Sequence, residues 1–260
     1  MIQSVRRAAA ILRELGSGQR RLGVTELSER LGLAKATVYG LLRALEADEL
    51  VQRDAETGKY RLGPILLQLG NAFLDNHELR ARSLLWADSL ADRTEQAVRV
   101  GVPMGSNVLI VHHVFRPDAS VQILEVGAAI PWHACALGKA TAAFQDDGEL
   151  EQMLGGPLPR LTGRTIVEPP ELKEALKRIR HEGVAVEDQE AIIGEAEIAA
   201  PVFDHLGDAV GAVGAVGVVG PVERLLVDGL ARPELAAAVR EVARGLSRDM
   251  AGGRVYARGR

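Results

Sequence analysis

Thr25-Glu26-Leu27-Ser28-Glu29-Arg30-Leu31-Gly32-Leu33-Ala34-Lys35-Ala36-Thr37-Val38-Tyr39-Gly40-Leu41-Leu42-Arg43-Ala44-Leu45 is the stretch on which the fold turns. Thr25 is a good N-cap for a short helix whose buried face is Leu27 and Leu31, and Gly32 closes that helix. After a turn of two or three residues, Val38, Leu41, Leu42 and Leu45 recur at i, i+3, i+4, i+7 and predict a third amphipathic helix over residues 34–47. Two short helices joined by so tight a turn form a helix-turn-helix unit. Upstream, Val5, Ala8, Ala9, Ile11, Leu12 and Leu15 mark the apolar face of a first helix, stopped by Gly16 and Gly18. Downstream, Leu50-Val51-Gln52-Arg53 and Lys59-Tyr60-Arg61-Leu62 flank a polar loop ending in Gly58, which reads as a two-stranded wing. Residues 1–63 are therefore expected to form a winged helix-turn-helix domain.

The solvent face of the third helix is the candidate reader of double-stranded DNA, because an α-helix fits the major groove and its N-terminal residues reach base edges. Lys35, Thr37 and Tyr39 stand in its first turns and Arg43 one turn later. Lys35 suits guanine O6/N7 or a phosphate, and Thr37 and Tyr39 suit either kind of contact. Arg53, Lys59 and Arg61 on the wing would neutralise backbone phosphates. The charge distribution agrees: residues 1–63 hold 11 Lys/Arg against 8 Asp/Glu, or +3, while the rest hold 20 against 27, or −7. The bland alternative is a small helical domain with a solvated charged face.

Beyond the wing, Gly63-Pro64 breaks the chain, and Ile65, Leu66, Leu69 and Phe73 begin a connecting helix over residues 64–76. An apolar face on a connector is usually covered by a second copy, so dimerisation is expected there. A helix follows over residues 77–95, with Leu79, Leu84, Leu85, Leu90 and Ala91 apolar. After Gln96 the period falls to two. Val98/Val100/Val102, Val108/Ile110, Val121/Ile123, Val184/Val186 and Val210/Val213/Val216/Val218 read as strands, with helices near residues 135–144, 149–154, 171–182 and 234–250 between and after them. An α+β chain with a mixed sheet of mostly antiparallel strands is expected over residues 77–250, followed by a disordered basic tail over 251–260.

Composition narrows the function classes. At 260 residues, with 47% hydrophobic and 25% charged side chains, the chain has enough apolar surface for two cores and is neither collagen-like nor disordered. The single cysteine, Cys135, excludes an internal disulfide and a cysteine-based zinc finger. The longest uncharged run, residues 209–222, is 14 residues long with four glycines, short of the ~20 a spanning helix needs. No secretory signal precedes Arg13 and Glu14, so a cytoplasmic protein with no membrane partner is expected. Gly211, Gly214, Gly217 and Gly220 match neither G-x-G-x-x-G nor a P-loop. His112, His113, His133, Cys135 and Glu187 could supply metal ligands, but adjacent histidines on a strand point to opposite faces. A Cys135–His133 nucleophile lacks a group to orient its base. Neither metal, cofactor nor catalytic residue is expected.

Over nearly its whole length the chain resembles the IclR family of bacterial transcription regulators. The resemblance rests on Ser4-Val5-Arg6-Arg7-Ala8, Gly32-Leu33-Ala34-Lys35-Ala36-Thr37-Val38-Tyr39, Ala136-Leu137-Gly138-Lys139-Ala140 after Pro131-Trp132-His133, and Glu187-Asp188-Gln189-Glu190 with Gly194. Ala199-Ala200-Pro201-Val202-Phe203 and the strand ending in Gly220-Pro221 complete it. Within the family, residues 77–82, 111–118 and 222–225 resemble the subgroup that regulates glycerol operons in actinomycetes. The resemblance implies a GAF/PAS-like effector domain, a homodimer or homotetramer on operator DNA, and a small-molecule effector, glycerol 3-phosphate for that subgroup. It implies a repressor whose effector pocket is bounded by residues 132–139, 187–194 and the strand ending at Val219. There His133, Cys135 and the backbone of Ala136 at a helix N-terminus would hold a phosphate, and Asp188 and Glu190 the hydroxyls. Two departures from the family stand out. Many members have arginine where this chain has Gly40, and serine or threonine at the pocket positions Gly217 and Val219. The competing reading is a small-molecule-binding or enzymatic domain carrying an N-terminal protein-interaction module.

Overall fold

The computed structural model describes residues 2–18, 21–118, 120, 122–204 and 212–257, with side chains as far as residue 252. Two units result, residues 1–76 and 77–260.

In the first unit, α1 (Gln3–Gly16), α2 (Val24–Leu31) and α3 (Lys35–Ala47) precede a hairpin of β1 (Val51–Arg53) and β2 (Tyr60–Leu62), and α4 (Ile65–Asp75) follows. Ile11 and Leu15 from α1, Leu27 from α2, and Val38, Leu42 and Leu45 from α3 close on Leu22, Val51 and Tyr60 as one core. The buried stripe of α1 is shorter than its sequence suggests, since Val5 is exposed. The start of α2 also differs from expectation. Gly23, not Thr25, is the N-cap, and the Glu26 carboxylate accepts from the Gly23 N–H at 2.6 Å. Thr25 already lies in the first turn, where a glutamate reaching back does the capping. Gly32 ends α2 at φ 62°, as expected.

The wing is antiparallel, with Val51 opposite Leu62 and Arg53 opposite Tyr60. Its loop is tied by Asp54, which accepts from the N–H and hydroxyl of Thr57, both at 2.9 Å. Gly63 ends the wing where only glycine fits, because a Cβ there would stand 1.9 Å from the Glu49 carbonyl oxygen.

The second unit opens with α5 (Glu78–Thr94). It then runs β3 (Ala97–Met104), β4 (Asn107–Val114), β5 (Ala129–Pro131), a 3-10 turn (Trp132–Ala134), α6 (Ala136–Ala142), α7 (Asp147–Leu154) and α8 (Pro169–Glu182). It closes with β6 (Ala185–Asp188), β7 (Glu195–Val202), β8 (Gly214–Pro221), α9 (Val222–Leu225), the short pair β9 (Leu226–Val227) and β10 (Leu230–Ala231), and α10 (Pro233–Ala257). Six strands form one sheet in the order β5-β4-β3-β8-β7-β6, antiparallel at every pairing among the described residues. Helices α5 and α10 pack together on one face of this sheet, while α6, backed by α8, packs on the other. Strand alternation sorts the side chains: Ala185, Ala199, Ala215, Val108 and Ile110 meet Ala136, Leu137 and Ala140 of α6 in one core. Small residues on the strands let the short helix α6 sit close to the sheet.

Two expectations change and a third falls partly outside the described residues. Val121/Ile123 does not give a strand: Ile123 is exposed and outside any strand, and Val121 lies outside the described residues. The reason is local, because the Gln122 amide takes both backbone groups of Arg116, at 2.7 and 2.9 Å, which a strand partner would otherwise use. The edge position beside β4 is filled by β5 instead. Val210 of the last strand also lies outside the described residues, and β8 begins at Gly214. Residues 251–257, expected as a disordered tail, continue the helix α10, while Arg258 and Arg260 lie outside the described residues. No helix of the described residues is long and apolar enough to cross a membrane.

Candidate nucleic-acid interface and effector site

The outer edge of α3 is open. Lys35, Tyr39 and Arg43 are exposed and Thr37 half-buried, while Val38, Leu42 and Leu45 on the opposite stripe anchor the helix. Among the described residues, no hydrogen bond or ion pair engages the side chains of Lys35, Thr37, Tyr39 or Arg43. Ala34 caps α3 without a side-chain bond, so the first N–H groups and the positive end of the helix dipole face outward beside Lys35. Gly40 is exposed as well, and a Cβ there would meet open space, so this departure leaves the edge of α3 narrow and uncharged at its middle.

On the wing the three cations differ. Arg61 is exposed and donates to the Gln52 side chain at 3.2 Å. Arg53 is exposed, lies 6.0 Å from the Tyr60 ring centroid and reaches the Gly58 carbonyl at 3.4 Å. Lys59 stands 3.0 Å from the Glu26 carboxylate, which offsets its charge. Of the three wing cations, Arg53 and Arg61 are therefore the ones whose charge no carboxylate offsets among the described residues.

In the second unit the α6 face of the sheet carries a buried ionic network that the sequence reading did not single out. Arg99 on β3 is 6% exposed. Its guanidinium is paired bidentately with Glu125 and lies 3.5 Å from Glu197 and 3.8 Å from Glu195. Burial works against its charge, but Glu197, Glu125 and Glu195 together raise its pKa. Glu197, opposite Val219 on β8, is fully buried, and its Oε2 accepts from the backbone N–H groups of Ala136 at 2.8 Å and Leu137 at 3.2 Å. The helix end that the resemblance assigned to a ligand phosphate is thus occupied by the chain's own carboxylate. Burial raises the Glu197 pKa, opposed by Arg99 and the two N–H groups.

The other expected pocket residues sort as follows. Cys135 is buried and caps α6, its sulfur accepting from the Gly138 N–H at 3.4 Å. Burial pushes its thiol well above the ordinary range, the opposite of what a nucleophile needs. His133 is buried with Nε2 3.0 Å from the Pro159 carbonyl oxygen, and burial lowers its pKa. A carbonyl only accepts, so Nε2 carries the proton and Nδ1 is a bare acceptor. Lys139 is buried and pairs with Glu190. Asp188 alternates with Glu187 along β6, is half-buried, and pairs with Arg164, so it does not join the network. Both Asp188 and Glu190 line a groove of about 760 Å³ between α8, β6 and the β10–α10 segment, which reaches the network at Lys139. Gly217 leaves no room for a hydroxyl-bearing side chain, because a Cβ would meet the Ile198 carbonyl oxygen at 2.6 Å. Val219 is buried beside Glu197.

Glu187 sits among these groups and accepts from the N–H groups of Glu190 and Ala191. Burial pushes its pKa up to about 8, with Glu197 adding to the rise. The folded chain therefore holds a proton that the unfolded chain releases between about pH 4.5 and pH 8. Stability from this group falls as pH rises through that window. Denaturant midpoints at pH 5 and pH 8 should show wild type losing ground against Glu187→Gln; a constant difference between the two would contradict the assignment.

Charged residues set among valines in a period-two run, Ala97-Val98-Arg99-Val100 and Glu195-Ala196-Glu197-Ile198, were the available signal for this network. Alternation puts Arg99 and Glu197 on the inward face, where a charge needs a partner.

A winged helix-turn-helix unit with an open recognition helix, on one chain with a sheet domain holding a buried polar site, defines a DNA-binding regulator with a sensor domain. The chain matches the IclR helix-turn-helix domain over residues 4–55 and the bacterial transcriptional regulator IclR C-terminal domain over residues 71–248, and it belongs to the IclR family. It is 49% identical over 253 residues to the glycerol operon regulatory protein of Streptomyces griseus, covering 97% of this chain and 98% of that one. An IclR transcriptional regulator of Alicyclobacillus acidocaldarius shares the fold with a TM-score of 0.81 at 24% identity, over 97% of this chain and 98% of that one. An IclR homologue of Microbacterium hydrocarbonoxydans, solved in complex with 4-hydroxybenzoate, matches with a TM-score of 0.76 at 20% identity, over 95% and 99%. The chain is a DNA-binding transcription regulator with an effector-binding domain.

Proposed function

We propose that this protein represses a glycerol-utilisation operon, binding operator DNA as a homodimer and responding to a metabolite of glycerol. The observation that carries this reading is the 49% identity, over nearly the whole of both chains, to a glycerol operon regulatory protein. Recognition falls to Lys35, Thr37, Tyr39 and Arg43 on α3, and phosphate anchoring chiefly to Arg53 and Arg61. Leu66 and the exposed Leu69, one turn apart on α4, a helix with no buried residue, supply the apolar face for a second copy. Effector bound in the C-terminal domain favours one placement of the two wing domains, and so decides whether both α3 helices fit successive grooves. The fold neighbour solved in complex with 4-hydroxybenzoate supports reading the chain as one that takes a small molecule.

Deleting the gene should raise transcription of the glycerol uptake and kinase genes in cells grown without glycerol. Unchanged transcript levels would overturn the assignment. Sedimentation equilibrium of the full chain reads the assembly, and a monomer at micromolar concentration would overturn the dimer.

A further inference from the structure

We propose that the effector site beside the first turn of α6 takes an uncharged polyol through its hydroxyl groups and disfavours the phosphate ester of the same polyol. The inference rests on reading this domain as the metabolite sensor.

Three observations lead to it. The backbone N–H groups of Ala136 and Leu137, the natural donors for an anion, are already used by the Glu197 carboxylate. An anionic ligand would have to displace a buried side chain that is also held by Arg99. Next, the charges around the site are unbalanced. Arg99 and Lys139 stand among Glu125, Glu190, Glu195 and Glu197, and each cation is already paired. A phosphate brought into this network meets carboxylates whose two cations are already engaged, while Arg178 and Arg240 lie along the groove and not in the network.

The third observation concerns the hydrogen-bonding capacity left over. Glu190 Oε2 and His133 Nδ1 are buried and have no hydrogen-bond partner among the described residues, and Glu197 Oε1 has only the ion pair with Arg99 at 3.5 Å. All three are acceptors, given the proton on His133 Nε2. Glu190 pairs with Lys139 of α6, Glu197 accepts from the N–H groups of Ala136 and Leu137 in its first turn, and His133 stands in the 3-10 turn just before it, so the three acceptors gather about the start of α6. Buried acceptors require donors, and a polyol hydroxyl donates whereas a phosphate dianion only accepts. The groove that reaches Lys139 and Glu190 gives the ligand its way in.

Calorimetric titration of the full chain, in glycerol-free buffer, with glycerol and with glycerol 3-phosphate tests the proposal. Glycerol should bind at least about tenfold more tightly than its phosphate ester. Glu190→Gln should weaken glycerol binding by about tenfold, and Glu197→Gln should narrow the preference for the uncharged ligand. Equal or tighter binding of glycerol 3-phosphate by wild type would overturn the inference, as would binding of neither ligand. The preference is read on wild type, so a variant that fails to fold does not shelter it. Operator binding followed in the same samples separates the two levels. Operator binding with neither ligand bound overturns the polyol site alone, and loss of operator binding overturns the regulatory reading.

Discussion

Replacing Arg99 with alanine is expected to destabilise the C-terminal domain by about 3–5 kcal/mol, the range for breaking a buried ion pair and leaving its partner charge uncompensated. The expectation follows from position. Arg99 is 6% exposed at the centre of the sheet and is paired with Glu125, Glu195 and Glu197, the last fully buried. Without the guanidinium, Glu197 keeps two backbone N–H donors but loses its counter-charge. It must then ionise at high cost or take up a proton. Arg99→Ala combined with Glu197→Gln should recover part of the loss, because the double variant buries no uncompensated charge at that point. Chemical denaturation monitored on the C-terminal transition reads both. A single variant within about 1 kcal/mol of wild type would show that the network is solvated rather than buried.

The second large effect belongs to the other unit. Lys35→Ala with Arg43→Ala should weaken operator binding by about ten- to a hundredfold at fixed salt, the scale of losing one or two base-edge or phosphate contacts. Both side chains are exposed, and the core of the unit is built from Ile11, Leu27, Val38, Leu42 and Tyr60, so the variant should fold and dimerise as wild type does. Fluorescence anisotropy on an operator fragment, paired with sedimentation of the same sample, separates the readings. Parallel loss of DNA binding and assembly would mark a folding defect instead.

The two units differ in how much of them a reader of the sequence can see. In the first, the cues are local: Val38, Leu42 and Leu45 keep helical spacing, Gly32 takes the left-handed angle that ends α2, and Asp54 and Thr57 make the wing turn. Helix periodicity and turn chemistry act over a few residues, so the chain order discloses them. The misplaced N-cap has the same local cause, since Glu26 outcompetes Thr25 by reaching back to Gly23. In the second unit the decisive contacts are distant. Glu197 meets Ala136, 61 positions away, and Arg99 meets Glu125, 26 positions away. Spacing along the chain cannot bring such pairs together; sheet register does, by setting Arg99 opposite Gly217 and Glu197 opposite Val219. The helix N-terminus at Ala136 was legible as an anion site, but the anion that fills it comes from another strand. Lost periodicity at Ile123 was hidden for a different reason, because a side-chain amide, not a strand, satisfies the backbone of Arg116.

The account depends on the outer edge of α3 and the wing engaging duplex DNA through charge. A titration of the full chain against a fragment of its own upstream region, at several salt concentrations, tests this most directly. The expected result is a linear fall of log affinity with log salt, about −0.9 for each phosphate neutralised, made shallower by removing Arg53 or Arg61. An affinity that does not change with salt, or no complex with DNA at low salt, would contradict it.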